Sequence, residues 1–111
     1  MTTVKITRAP TRGGTVFTLE AKGHAGAAPA GHDIVCAGIS TLLYTLAEML
    51  SVDDFDADPI IRFPGAGAFI QVTATDENEA RVEAAFDFAE TGLRLLQQEY
   101  PHHIVVYGQE P

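Results

Sequence analysis

Segments with the hydrophobic period of a strand and segments with that of a helix follow one another along the chain. This succession restricts the fold more than any other feature. Val4 to Arg8 and Val16 to Gly23 alternate apolar and polar residues, as strands with one buried face do. From Asp33, and again from about Glu77 to Gln98, the apolar residues recur every three or four positions, which predicts two amphipathic helices. A chain with both patterns must pack helices on a sheet to bury both apolar sides.

The first predicted helix begins at Asp33 and ends near Ser51. Aspartate is a preferred N-cap residue, because its carboxylate accepts hydrogen bonds from the free amides of the first turn, so we favour a capping role for Asp33. The apolar stripe of this helix is predicted to contain Val35, Ile39, Leu42, Leu46 and Met49.

In the second predicted helix, Asp76 and Glu79 form a box-like cap. Gly92 lies inside this helix, where glycine costs about 1 kcal/mol relative to alanine, and we therefore expect close packing at that position. The predicted apolar stripe contains Val82, Phe86, Ala89, Leu93 and Leu96.

Three more strands are predicted, near Ala57 to Phe63, Ala68 to Ala74 and Ile104 to Tyr107, and a six-residue connection joins the first two strands of the chain. The order ββαββαβ predicts an α+β fold. It is a two-layer sandwich in which two helices cover one face of a mainly antiparallel sheet. At 111 residues, we expect a single domain over residues 1–111.

The charge balance excludes one class of function. Seven basic against fifteen acidic side chains give a net charge of −8. Binding to nucleic acid needs clustered Lys and Arg for phosphate contacts, so we expect no nucleic-acid partner. A basic protein or peptide is the better match to this negative charge as a partner or substrate.

The location expected from the sequence is the cytoplasm. No apolar run reaches the roughly 18 to 20 residues of a membrane span, and Met1 to Lys5 precede no apolar segment of a secretory signal. A single cysteine cannot form an internal disulfide. We therefore expect neither a membrane nor an oxidising compartment.

That cysteine is the best candidate for chemistry. Cys36 lies about three residues past the expected cap, where the helix dipole favours a thiolate. A nucleophilic cysteine also needs a base. His24, at the end of the second strand, precedes Cys36 by twelve residues, enough for the loop to fold back. Ser40 follows Cys36 by one helical turn.

Other interpretations of these residues are open. A free cysteine is often a buried hydrophobic residue. His24, His32 and Cys36 offer zinc ligands, but a cap at Asp33 would place His32 outside the helix, and no fourth ligand is evident. A non-catalytic dimeric module that binds a basic peptide at a sheet edge is a further alternative.

Gly23-His24-Ala25, Asp33-Ile34-Val35-Cys36-Ala37 and Ser40 together resemble the signature of the ribosomal-processing cysteine proteases, the Prp family. Chain length and element order are also similar to those of the family. The loop between the two motifs, residues 25–31, carries no aromatic side chain and is bracketed by glycines. Our hypothesis is that this loop gates the site.

The resemblance implies a cysteine endopeptidase without metal or cofactor. Cys36 would be the nucleophile and His24 the general base, with Gly23, Asp33 and Ser40 at supporting positions. Family members remove a short N-terminal extension from bacterial ribosomal protein L27, cut after aromatic residues and are homodimers. A basic ribosomal protein would suit the charge of −8.

Overall fold

The structure is a computed structural model that describes residues 1–23, 30–52, 55, 57–65 and 67–109, with the backbone alone at 30–33 and 109. The predicted order ββαββαβ is confirmed. The elements are β1 (Thr2–Thr11), β2 (Gly14–Lys22), α1 (Ala30–Ser51), β3 (Ile60–Arg62), β4 (Ala68–Ala74), α2 (Glu79–Glu99) and β5 (Ile104–Gln109).

The five strands form one mixed sheet in the order β3-β4-β2-β1-β5. Only β1 and β5 are parallel among these pairs, so the sheet is mostly antiparallel, as predicted. The register pairs Leu19 with both Ile6 and Ile70, which places the buried residues of three strands on one face. The helices pack on that face, and the α+β prediction is confirmed.

The predicted six-residue connection between the first two strands is wrong. β1 and β2 stay paired as far as Thr11 and Gly14, so only residues 12 and 13 connect them. The turn-rich composition of this segment is misleading because, over the described residues, the pairing of β5 with β1 ends at Thr7. Among those residues no strand pairs with that edge of β1 at Pro10, and such an edge tolerates a residue without a backbone N–H.

The predicted start of α1 is also wrong. The helix begins at Ala30, so Asp33 is its fourth residue and not its N-cap. Ala30 and Gly31 carry no long apolar side chain, and the apolar stripe therefore reveals the helix only from Val35 onward. The stripe itself is nearly as predicted, except that Leu43 and Leu50 are buried where Leu42 and Met49 were expected. Leu42 and Met49 are half-buried and pack against the core.

In α2 the apolar stripe is confirmed, with Val82, Phe86, Ala89 and Leu93 buried and Leu96 packed against the core. The expected cap is wrong, because the N-cap residue is Asn78. Its Oδ1 accepts a hydrogen bond from the backbone N–H of Thr75 at 2.8 Å, which closes the turn after β4.

The prediction that no apolar run has the length of a membrane span also needs correction. Within α1, the stretch Ile34–Ser51 is long and apolar enough, by length and composition alone, to cross a membrane. In the fold this stretch supplies Ile39, Leu43, Leu46 and Leu50 to the core. A third of the stretch is buried in the fold, and packing in the core accounts for the apolar character of that third.

Candidate active site

A cavity of about 200 Å³ opens between the N-terminal half of α1 and one end of the sheet. Among the residues that the structure describes, its polar side chains are those of Thr2, Ser40, Cys36 and Tyr44. The lining residues are Thr2, Ala21, Gly23, Cys36, Ile39, Ser40, Leu43, Tyr44, Phe63, Gly65, Gly67 and Ala68. An apolar concave site with a few polar groups is the usual form of a ligand site.

Helical spacing brings Cys36 to this cavity. Cys36, Ser40 and Tyr44 are four residues apart, so they share one face of α1 and all line the cavity. Cys36 is a free, half-exposed thiol, which excludes the interpretation that it is a fully buried hydrophobic residue.

The position of Cys36 in the helix differs from the prediction. Because α1 begins at Ala30, Cys36 lies in its second turn and not in its first. The influence of the helix dipole falls off within the first turn. The support that a helix start would give to a thiolate is therefore weaker than the sequence indicated, and a nucleophilic role of Cys36 would require a neighbouring base.

Gly23 borders the same cavity from the end of β2. Its φ of 75° lies in the left-handed region, and a Cβ atom there would stand 2.7 Å from the carbonyl oxygen of Met1. Glycine is thus required twice, by the backbone conformation and by the close approach of the N-terminal strand. Gly23 thus has a fixed place at the edge of the cavity, and His24 is the next residue in the sequence.

Several predicted features lie outside the described residues. They are His24, the side chains of His32 and Asp33, and the loop of the gating hypothesis, except that residues 30 and 31 belong to α1. The structure thus brings together three of the predicted site residues, Gly23, Cys36 and Ser40, at one cavity.

The zinc alternative changes with the helix start. His32 and Cys36 both lie in α1, four residues apart, so the argument that placed His32 outside the helix is wrong. Among the side chains that the structure describes, no three His, Cys, Asp or Glu residues are grouped as metal ligands. Two of the three residues of this alternative, His24 and His32, are not in that set.

Sequence reasoning predicted three of the lining residues and missed the others, among them the three with a hydroxyl or an aromatic ring, Thr2, Tyr44 and Phe63. Tyr44 had a usable signal, because it continues the four-residue spacing of Cys36 and Ser40. Phe63 follows β3 and reaches the cavity only through the pairing of β3 with β4. Thr2 is nearly buried at the start of β1, opposite the end of β2.

A family model described as cysteine protease Prp matches residues 1–105. No curated protein matches the sequence. Among solved structures, SMU.848 from Streptococcus mutans superposes with a TM-score of 0.77 at 23% identity, over 100% of this chain and 96% of that one. At this identity the likeness shows the fold.

Two further structures are of an essential ribosomal processing protease, Prp from S. aureus. The complex with a substrate peptide has a TM-score of 0.75 and 25% identity, over 98% of this chain and 100% of that one. The complex with a covalently linked product peptide has a TM-score of 0.74 and 26% identity, with the same coverage.

Proposed function

Because this chain belongs to the Prp family of cysteine proteases, which process ribosomal protein, we propose that it removes a short N-terminal extension from bacterial ribosomal protein L27 by cutting after aromatic residues. One observation carries the assignment of the reacting groups. The only cysteine of the chain, half-exposed, borders the same cavity as Gly23, the residue bonded to His24.

In the proposed reaction, His24 accepts the thiol proton of Cys36 while Sγ attacks the carbonyl carbon of the scissile peptide bond. The tetrahedral intermediate collapses as His24 protonates the departing amine, which leaves a thioester on Cys36. A water molecule, deprotonated by His24, then attacks the thioester carbonyl and releases the new C-terminal carboxylate and the thiol. The reaction consumes one water and needs no metal.

The proposal gives supporting roles to two further residues, Ser40 and Asp33. Ser40 lines the cavity one turn from Cys36, so its exposed hydroxyl can hydrogen-bond the backbone of an extended peptide. Asp33, which is inside α1 and not at its cap, is free to take the other role considered for it, support of the catalytic pair. The charge of −8 favours encounter with a basic ribosomal protein.

The experiment incubates the purified chain with a peptide that spans the extension of the host's own L27, followed by mass determination of both products. We expect Cys36→Ala and His24→Ala to abolish cleavage but to retain peptide binding. His102→Ala, which changes an exposed histidine that does not line the cavity, is the matched control and should cleave normally. Cleavage that survives Cys36→Ala would refute the proposed nucleophile.

The substrate requires a separate test, with full-length L27 in place of the peptide. We expect one cut, after an aromatic residue near the N-terminus, and no cut in a version whose aromatic residues there are replaced by alanine. If L27 stays intact while a generic aromatic peptide is cut, the substrate assignment fails but the nucleophile stands.

We propose in addition that the enzyme acts in the cytoplasm, where ribosomal proteins are made, and that it is a homodimer, as the family resemblance implies. Sedimentation equilibrium at several concentrations measures the mass of the particle. A value equal to one chain at all concentrations would exclude the homodimer.

A further inference from the structure

Thr2, at the start of β1, is a polar residue buried at the wall of the cavity. Only 4% of it is accessible, and it borders the same cavity as Cys36. Successive residues of a strand point to opposite faces of the sheet, and Thr2 shares the face of Val4 and Ile6, which are fully buried. Its side chain therefore points toward the helices. Thr3, the next residue, is exposed on the opposite, open face of the sheet.

The hydroxyl of Thr2 has no partner in the part of the chain that the structure describes. Two polar residues are buried there, Thr2 and Asn78, and Asn78 Oδ1 accepts a hydrogen bond from the backbone N–H of Thr75. The hydrogen bond of Thr2 is made by its backbone N–H, which donates to the carbonyl oxygen of His103 at 2.9 Å. No fully enclosed side-chain oxygen of the described residues lacks a partner, so the Thr2 hydroxyl opens onto the cavity.

A hydroxyl in this place lowers the stability of the unliganded fold. Transfer of a hydroxyl from water to apolar surroundings costs free energy when no new hydrogen bond forms. Ile39 and Leu43 give the same cavity apolar walls. A valine at position 2 would keep the shape of the side chain and replace the hydroxyl with a methyl group. Folding alone therefore does not account for a threonine here, whereas a ligand that bonds to it would.

β1 also holds this hydroxyl in a fixed position. Thr2 is paired with Ile104 of β5, and its neighbour Thr3 is paired with Lys22 of β2, so strands flank the residue on both sides. Threonine is branched at Cβ, which leaves its side chain few rotamers. A polar group that is already ordered loses little conformational freedom when a ligand binds to it.

We infer that the Thr2 hydroxyl is a substrate-binding group that forms a hydrogen bond with a main-chain group of the peptide in the cavity. The inference rests on the proposed function, because it takes the occupant to be an extended peptide. The N–H and C=O groups of such a peptide need partners once the cavity excludes water, and a hydroxyl can donate or accept. Main-chain groups are the same in every peptide, so Thr2 contributes affinity and not sequence preference.

The test removes the hydroxyl with Thr2→Val and keeps it with Thr2→Ser. In a Cys36→Ala background, where binding is measured without turnover, Thr2→Val should raise the Kd of the L27 peptide about three- to tenfold. Thr2→Ser should stay within about twofold of the parent chain. Thr3→Val is the matched control, because it makes the same change at an exposed position that does not line the cavity. An unchanged Kd in Thr2→Val would overturn the inference.

Stability gives a readout that a purely structural role would move in the opposite direction. Thr2→Val should raise the urea midpoint of the unliganded chain, because a methyl group replaces an unpartnered hydroxyl. The same substitution should thus strengthen the fold and weaken peptide binding. A lower midpoint would mean that the hydroxyl has a partner within the fold, and would overturn the inference.

Peptides with one amide replaced by an ester identify the main-chain group, since an ester lacks the N–H and is a weaker acceptor. At one position the ester should raise the Kd for the chain with Thr2 but not for Thr2→Val, because both changes remove the same hydrogen bond. Additive effects at every position would contradict the inference. Failure of the native chain to cut a peptide that shows this binding pattern would instead refute the proposed reaction.

Discussion

The backbone of Gly92 in α2 lies against the side chain of Leu42 in α1, where a Cβ atom on the glycine would stand 2.6 Å from Leu42 Cδ2. Gly38 of α1 meets Leu96 of α2 in the same way, at 3.1 Å. Each helix thus contributes one glycine that the other's leucine covers. This close approach fixes where α1 lies on the sheet, and with it the position of the cavity.

Gly92→Ala should lower the free energy of unfolding by about 1 kcal/mol. Alanine gains roughly 1 kcal/mol of helix propensity, but the overlap with both Cδ atoms of Leu42 forces repacking that costs about 1–3 kcal/mol. Urea unfolding measures the change. The control is the same substitution in a Leu42→Ala background, where the overlap is gone and Gly92→Ala should become stabilising. A stabilising effect in the native background would contradict close packing as the reason for the glycine.

Gly23→Ala should destabilise the fold by about 1–2 kcal/mol, because φ is 75° and the new Cβ would collide with the carbonyl oxygen of Met1. We expect kcat/KM to fall as well, since the turn at Gly23 leads directly to His24. Thermal unfolding and peptide cleavage are the two measurements. Gly13→Ala, with nothing within 4 Å of its added Cβ, should change neither quantity appreciably. Normal activity of Gly23→Ala would argue against any role of this turn in the site.

Arg8→Ala should lower the free energy of unfolding by about 1–3 kcal/mol. The side chain of Arg8 is 10% exposed and donates to Asp87 Oδ1 at 2.7 Å and to Glu90 Oε1 at 3.2 Å, which ties β1 to α2. Urea unfolding again gives the value. Arg12→Ala, at the exposed β1–β2 turn, should stay within about 0.5 kcal/mol of the native chain. Similar effects at both arginines would mean that the contacts of Arg8 contribute little to the free energy of unfolding.

Alkylation of the single thiol should report occupancy of the cavity. Iodoacetamide should add one group per native chain, because Cys36 is half-exposed and the sequence contains no other cysteine. In a His24→Ala chain, which keeps the thiol but should not cut the peptide, an L27 peptide at ten times its Kd should slow the reaction about tenfold, as only the free chain reacts. Mass spectra over time give the rate, and a scrambled peptide is the control. An unchanged rate with the bound peptide would place the peptide away from Cys36.

Much of the architecture follows from local pattern. The bounds of β4 are those predicted, Ala68–Ala74, because a run of turn-forming residues stands directly before the strand. The stripe of α2 was predicted because its apolar residues recur with the helical period. Gly92 was expected at a close contact, and the structure shows which side chain makes it. These features depend on residues near one another in the chain.

The errors have a common physical cause. The start of α1, the cap of α2 and the length of the β1–β2 turn are ends of elements, where few local interactions decide between alternatives. At Pro10 the deciding fact is where β5 stops pairing, nearly a hundred residues away in the sequence. Asp33 is a favourable cap residue, but the helix begins three residues before it.

The amino-acid sequence alone determined the order of elements, the buried faces and the motifs with His24 and Cys36, because periodicity and motif spacing are properties of neighbouring residues. Tertiary structure decided which residues surround Cys36. Thr2 of β1 and Phe63 after β3 line one cavity with Tyr44 only after the strands pair and α1 packs across them. A cavity is the space left by that packing, and so no local pattern in the chain encodes its walls.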